Sequence, residues 1–222
     1  VTAELSLTGI KSFSRTTQAN VMDYLRQAIL AGELPPGTRL VQAELAAALK
    51  VSVTPIREAL WELNSQGLVD LDAFRGAVVH GPTRAEVEDI FEVRAALLPA
   101  SVRRGIQHIT PGQLQRAAAI LTEMKTEVDQ TRWIALNRDF HRQLYGPQPN
   151  QHLYEVLERL ADIATIYINL SFGHNQAERQ ASEQEHRQIL AAYQAQDVDQ
   201  AIALSLGHIQ STLEAARQAL DL

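Results

Sequence analysis

Pro35–Asn64, PPGTRLVQAELAAALKVSVTPIREALWELN, is the stretch that decides the fold. Val41, Leu45, Ala48 and Leu49 recur at helical spacing, and so do Ile56, Ala59, Leu60 and Leu63, each set marking one buried stripe. The second set opens at a proline: Thr54 is expected as N-cap and Pro55 at the first helical position, where its missing N–H costs nothing. Arg57 follows in the first turn. Two short helices, a tight turn and a polar start to the second helix fit a helix-turn-helix, whose second helix enters the DNA major groove. A helical pair inside an all-α core would show the same periodicity. The flanks decide between them.

Gly67 ends the second helix, and Leu68–Leu71 and Ala77–His80 then flank the turn Asp72-Ala73-Phe74-Arg75-Gly76. Alternation around a glycine-bearing turn predicts a β-hairpin. A hairpin directly behind a recognition helix is a wing, whose Arg75 and Gly76 would reach the DNA backbone or minor groove. Ahead of the pair, Val21, Leu25, Ala28 and Ile29 mark a longer helix stopped by Ala31-Gly32. The order helix, helix, helix, hairpin predicts a winged helix-turn-helix over residues 14–80.

That segment resembles the DNA-binding domain of the GntR family of bacterial transcription regulators. The resemblance is carried by Leu30-Ala31-Gly32-Glu33-Leu34-Pro35-Pro36-Gly37-Thr38-Arg39-Leu40, Glu44-Leu45-Ala46, Val51-Ser52-Val53-Thr54-Pro55-Ile56-Arg57-Glu58-Ala59-Leu60, Leu63 and Gly67-Leu68-Val69. It implies that Ser52, Thr54, Arg57 and Gly76 read an operator. Two positions depart from the family pattern, which carries arginines where Ala43 and Val53 stand here. A missing bidentate arginine contact is worth roughly 1–3 kcal/mol of base discrimination. The family's common operator is therefore not expected to transfer.

Charge works against non-specific DNA binding. The chain has a formal net charge of −6, and residues 1–80 hold seven Lys/Arg against eight Asp/Glu. An acidic reader of DNA must gather its few cations on one face, and Arg39, Arg57 and Arg75 are the candidates. With 45% hydrophobic and 21% charged residues over 222 positions, the composition is that of an ordinary globular protein with room for two domains. The absence of cysteine excludes disulfides and thiolate chemistry. No apolar run is long enough for a membrane span, and residues 1–13 read as a flexible arm without the pattern of a signal peptide. A cytoplasmic, nucleoid-associated protein with no membrane partner is expected.

A linker is expected at residues 81–83, where Pro82 stops the strand and Thr83 with Glu86 resembles a capping box. Beyond it, residues 84–222 show only helical stripes: about 83–107, 111–129, 131–146, 150–172, 175–195 and 198–220. Leu114, Ala117, Ala118, Leu121 and Val128 mark one inward face; Leu153, Val156, Leu157, Leu160, Ile163, Ala164 and Tyr167 mark another. Pro99 is expected to kink or break the first helix. The fold class is mainly α, a winged helix-turn-helix followed by an all-helical bundle.

Three histidines on three of these helices fall on inward stripes. Asn137 and His141 stand one turn apart, His186 aligns with Ile189, Leu190 and Tyr193, and His208 aligns with Leu204, Ser205 and Thr212 rather than with Ile202, Leu206, Ile209 and Leu213. A histidine on an inward face is more often a hydrogen-bonded core residue than a ligand. Neutral imidazoles beside an oxygen donor suit Zn²⁺ or Ni²⁺ rather than Mg²⁺ or Ca²⁺.

The bundle in turn resembles the ligand-binding (FCD) domain of FadR-type GntR regulators, through Asp89-Ile90-Phe91-Glu92-Val93-Arg94, Phe140-His141-Arg142-Gln143-Leu144, Asn150, Glu185-His186-Arg187-Gln188-Ile189-Leu190 and His208-Ile209. The resemblance implies a divalent metal ion held at Asn137, His141, His186 and His208, with Asn137 where relatives have Asp or Asn, and Leu98 where they often have glutamate. Open metal positions and Arg94 would take a small carboxylate effector, with Tyr145 and Asn169 as further pocket residues. A homodimer on a palindromic operator follows, with effector binding relieving repression. The alternatives are a metal-dependent hydrolase, for which no inward Asp or Glu offers a general base, and a metal-free interaction module.

Overall fold

The computed structural model describes residues 17–72, 76–81, 83–145, 151–172 and 176–220, without the side chains of 151, 167–172, 176–177 and 219–220. The chain divides into two compact units, Val1–Gly81 and Pro82–Leu222.

The first unit runs α1 (Thr17–Leu30), β1 (Arg39–Leu40), α2 (Gln42–Leu49), α3 (Val53–Ser65), β2 (Val69–Asp72) and β3 (Gly76–Val79). Val21, Leu25, Ala28, Ile29 and Leu30 of α1 are buried, as are Ile56, Ala59, Leu60 and Leu63 of α3, and the two helices pack together. In α2 the buried set is Leu45, Ala46 and Leu49. Val41 stands outside the helix in extended conformation. The reason is β1, which pairs with β3 (Arg39 opposite Val78, Leu40 opposite Ala77) and keeps the chain extended up to Val41. A two-residue strand has no periodicity to read.

The turn between α2 and α3 is built on Lys50, whose φ of 56° is left-handed. Its N–H donates to the Ala47 carbonyl (3.3 Å) and that of Val51 to Ala46 (3.0 Å), the paired bonds that close a helix C-terminus. Ser52, extended, is then the N-cap of α3, not Thr54. Pro55 consequently sits third in the helix, still within the first turn, where backbone N–H groups have no intrahelical partner. At the other end Gly67 supplies a φ of +77°, and Gly67 N–H donates to Asn64 while Leu68 N–H donates to Leu63, both at 3.0 Å. The wing follows as β2 and β3, antiparallel from Val69 opposite Val79 to Asp72 opposite Gly76, in the sheet order β1-β3-β2.

The second unit has only helices as regular elements among its described residues: α4 (Arg84–His108), α5 (Pro111–Met124), α6 (Gln130–Tyr145), α7 (Gln151–Phe172), α8 (Gln176–Gln194) and α9 (Val198–Leu220). Thr83 caps α4 by accepting from the Glu86 N–H at 3.3 Å. Pro99 does not break α4, which is a single helix of 25 residues. Leu98, Ser101, Val102, Gly105 and Ile106 carry its buried face past the proline, against α7 and α9. Their burial offsets the roughly 3 kcal/mol that a helix-interior proline costs. Two inward assignments fail. Val128 lies beyond the end of α5 and is 90% exposed, and Val156 is 45% exposed. On α9 the two expected faces are one, since Ala201, Ser205, His208, Ile209, Thr212 and Leu213 are all buried.

Thr110 opens α5 with a complete capping box: its hydroxyl accepts from the Gln113 N–H (3.3 Å) while its own N–H donates to Gln113 Oε1 (2.9 Å). Thr110→Ala is expected to lower the stability of the protein to urea by about 1 kcal/mol, and Thr110→Ser to leave it near wild type. Equal losses from both variants would show that the box is not what holds this helix start.

Candidate effector cavity and DNA-reading helix

His141 on α6, His186 on α8 and His208 on α9 converge, each offering a ring nitrogen within 4.8 Å of the other two. Nε2 of His186 lies 3.2 Å from Nε2 of His208. The rings of His141 and His186 are edge-on at 4.9 Å between centroids, and Tyr145 stacks on His141 at 5.7 Å. His186 is fully buried and His208 nearly so. Burial first, then the nearness of His208 and Arg94, pushes the His141 pKa well below the ordinary histidine range. Burial, followed by His208, His141 and Arg187, does the same to His186. Both imidazoles are therefore neutral at physiological pH, with lone pairs free to bind.

Glu185 completes the arrangement, and the sequence did not single it out. Its Oε2 lies 2.7 Å from Nδ1 of His208, and its Oε1 accepts from the Ser211 hydroxyl at 2.8 Å. Burial alone would raise the Glu185 carboxyl, but the bonds from His208 and Ser211 outweigh it and hold the pKa down. An ionised carboxylate only accepts, so Nδ1 of His208 carries a proton and donates it to Glu185, which leaves Nε2 as the nitrogen that faces His186. A carboxylate fixing the tautomer of a histidine in this way is the usual support of a metal-ligating imidazole. The signal available in the sequence was only adjacency to His186.

Asn137, one turn before His141, is buried and its Oδ1 has no partner. Asn137, His141 and His208 line a cavity of about 100 Å³, measured as the space open to centres of water-sized molecules, together with Arg94, Leu98 and Tyr145. Arg94 does not pair with Asp89 or Glu92 on the helix surface. Its guanidinium lies 4.9 Å from the centre of the Phe91 ring, and its Nη1 is buried without a hydrogen-bond partner. Burial lowers the Arg94 pKa to about 10, opposed by Tyr145. The Tyr145 hydroxyl is itself raised by burial, with Ser205 and Arg94 pulling the other way.

The far wall of the cavity carries charges of both signs. Arg138 and Arg142, one turn apart on α6, meet Asp162 and Glu158, one turn apart on α7. Asp162 is 2% exposed. Asp162 is thus an inward carboxylate that the sequence analysis did not single out, and the matched spacing on two antiparallel helices was the signal that could have found it. These acids are held by arginines, whereas Arg94 has no carboxylate partner among the described residues. Asn169 lies on α7 with its side chain outside the described residues, as does that of Tyr167. Of the histidines given no role, His80 bonds Asp70 at 3.0 Å across the wing and His152 is an exposed neighbour of Glu155.

In the first unit Ser52, Val53, Thr54 and Arg57 are all exposed at the start of α3. Arg39 is exposed on β1. Gly76 opens β3 with φ +76° and nothing within 4 Å of where a side chain would begin, so backbone conformation rather than space calls for glycine there. Arg75 lies outside the described residues.

Comparison with known proteins bears on both units. Residues 17–79 match the family "Bacterial regulatory proteins, gntR family", and residues 89–211 match the FCD domain. The Nta operon transcriptional regulator of Aminobacter aminovorans is 29% identical over 177 residues, 79% of this chain and 82% of its own. The transcriptional repressor RspR of Escherichia coli is 27% identical over 197 residues, 87% of this chain and 86% of its own. Among solved structures, E. coli McbR/YncC superposes with a TM-score of 0.84 at 23% identity, over 92% of this chain and 99% of that one. A GntR regulator of Rhodococcus sp. RHA1 gives 0.77 at 23% identity, over 92% and 97%. These relatives are transcription regulators, not enzymes, which sets the hydrolase alternative aside. The chain belongs to the GntR family of bacterial transcription regulators, with an FCD domain behind its winged helix-turn-helix.

Proposed function

We propose that this regulator is a homodimer that holds a divalent metal ion and a small organic acid in its helical unit, and that the acid alters its grip on a palindromic operator. The observation that carries the proposal is Arg94, a half-buried cation that lines the cavity beside neutral His141, with its Nη1 buried and no carboxylate partner among the described residues. An uncompensated buried charge costs several kcal/mol. A carboxylate entering the cavity offsets that cost, and a neutral ligand does not.

The donor set fits a borderline divalent ion. Nitrogen ligands about 2.1 Å from a tetrahedral zinc stand about 3.4 Å apart, close to the 3.2 Å between the Nε2 atoms of His186 and His208. His141, His186 and His208 would hold such an ion, Zn²⁺ or Ni²⁺, with the unpartnered Asn137 Oδ1 as a fourth, weaker donor. When bound, the ion supplies a Lewis-acidic position for an anionic oxygen. Glu185 orients His208, and Leu98 and Trp133 wall the cavity with apolar surface. Arg94 orients the carboxylate of the acid, with Tyr145 beside it. Arg138 and Arg142 are already engaged with Asp162 and Glu158, so the far end of the cavity suits uncharged polar groups.

On the DNA side, Ser52, Thr54 and Arg57 meet the major groove, while Arg39 and the wing at Arg75 and Gly76 meet the backbone. Two copies place these on half-sites about one helical turn apart. The residues at 81–83 join the units as a linker through which cavity occupancy biases half-site spacing, and a coupling of about 1–3 kcal/mol suffices for a switch. Repression relieved by the acid is the proposed sign, supported by RspR and a D-xylose operon regulator, both named as repressors. A protein with this work is cytoplasmic and bound in part to the nucleoid.

Purified protein is expected to carry about one zinc or nickel ion per chain by elemental analysis, and His208→Ala to lose it; wild-type protein that takes up neither ion on titration would leave a metal-free interaction module. In thermal-shift titrations with hydroxy and keto acids of two to six carbons, Arg94→Gln is expected to weaken binding at least about tenfold while keeping its metal, since a charged hydrogen bond contributes roughly 1.5–3 kcal/mol. Undiminished binding by Arg94→Gln would remove the effector role of this arginine. The pH dependence has a definite sign. The folded pKa values of His141 and His186 are depressed, so below their unfolded value of about 6.5 the unfolded chain binds protons that the folded chain does not. The melting temperature of chelator-treated protein should thus fall as pH drops from about 6.5, and the His186→Gln variant should show a shallower fall.

A further inference from the structure

Val53, Arg57 and Trp61 form one row along α3, each four residues and about 40° of rotation from the last. Thr54, Glu58 and Glu62 form the next row, about 100° away. All six are exposed, with Val53 at 45% and Trp61 at 67%. The second row puts two carboxylates along the helix, where DNA phosphates repel them. The first carries a cation and no acid, so it is the row that follows the groove along its length, with Thr54 beside it only at the helix start. Val53 is the first residue of α3, immediately after the N-cap Ser52. The N-terminal residues of a recognition helix are the ones that reach base edges.

Valine has neither a donor nor an acceptor on its side chain. The major groove exposes one apolar group, the 5-methyl of thymine. From this we propose that Val53 reads a thymine methyl in each operator half-site, next to the base or phosphate contacted by Arg57. The inference rests on the family's DNA-binding function and adds a specificity-determining residue to it. A hydrogen-bonding side chain at this position would select a base by its polar edge. Val53 instead selects by removing a methyl and two branched carbons from water together, a contact insensitive to salt and lost entirely when the methyl is absent.

The test removes the methyl without touching any polar group. Full-length protein first selects its operator from random duplexes, and each thymine of a half-site is then replaced by deoxyuridine. For wild type, one thymine position per half-site is expected to weaken binding about fivefold when demethylated, and about twenty-five-fold when both half-sites are changed, the size expected for one buried methyl. Val53→Ala, at an exposed helix start where folding is not at stake, is expected to bind the normal operator more weakly and to lose the sensitivity to deoxyuridine at that position. Wild-type binding indifferent to every demethylation would overturn the proposal. So would a Val53→Ala protein that keeps the full sensitivity, because the methyl of Thr54 would then be the reader. A chain that enriches no sequence at all overturns the DNA-binding premise as well, whereas a chain that enriches a palindrome but ignores its methyls overturns only the role of Val53.

Discussion

His186 has no exposed surface, and its Nε2 lies 3.2 Å from that of His208. Two protonated imidazoles could not stand so close in a dry interior, where their repulsion is scarcely screened. At most one of the two therefore carries a charge, and burial keeps His186, like His141, neutral. Glu185 accepts a hydrogen bond from Nδ1 of His208 at 2.7 Å and so fixes that ring's orientation. Everything else in the cavity is arranged about that constraint. Tyr145 stacks on His141, and Asn137 presents an unpartnered oxygen one turn away.

Buried polar atoms without partners lower stability, each by about 1–3 kcal/mol. Here Asn137 Oδ1, Arg94 Nη1 and the Nδ1 atoms of His141 and His186 are in that condition within one bundle. Such a cluster is costly as packing and useful as a site, because whatever fills it recovers the lost interactions as binding energy. The arginine–carboxylate rungs on α6 and α7 have the opposite character. Arg138 with Asp162 and Arg142 with Glu158 satisfy each other across α6 and α7. Their presence leaves Arg94 as the cation on which an entering anion can act.

Periodicity in the sequence was enough for the helices, and motif chemistry for the wing. The buried stripe of α3 reads directly off Ile56, Ala59, Leu60 and Leu63, and the histidine triad off three inward positions. What escaped was whatever depends on a partner in space. β1 has two residues and exists only because β3 offers it a ladder, and that pairing moved Val41 out of α2. Ser52 rather than Thr54 caps α3 because Lys50 adopts a left-handed turn that ends α2 early, a conformation glycine usually signals and lysine does not. Asp162 was not singled out because its arginine lies on another helix. Pro99 is tolerated inside α4 for the same kind of reason, since the packing that offsets its cost is tertiary.

The acidity of the chain bears on how it finds DNA. With a net charge of −6, its field offers little general attraction to a polyanion. Each phosphate neutralised by a cation contributes affinity that falls as salt rises. A reading surface with Val53 in place of a cation forgoes part of that affinity, and what remains is weighted toward contacts that only the correct sequence can make. Lower overall affinity is then accompanied by a better ratio of specific to non-specific binding. On the proposed reading, in which an acid releases the protein from its operator, a modest hold is an advantage, because a coupling of about 1–3 kcal/mol displaces a weakly held protein far more completely than a tightly held one. The acidic surface, the apolar start of α3 and the cavity with its unpaired arginine thus fit one device, in which discrimination rather than strength governs occupancy of the operator.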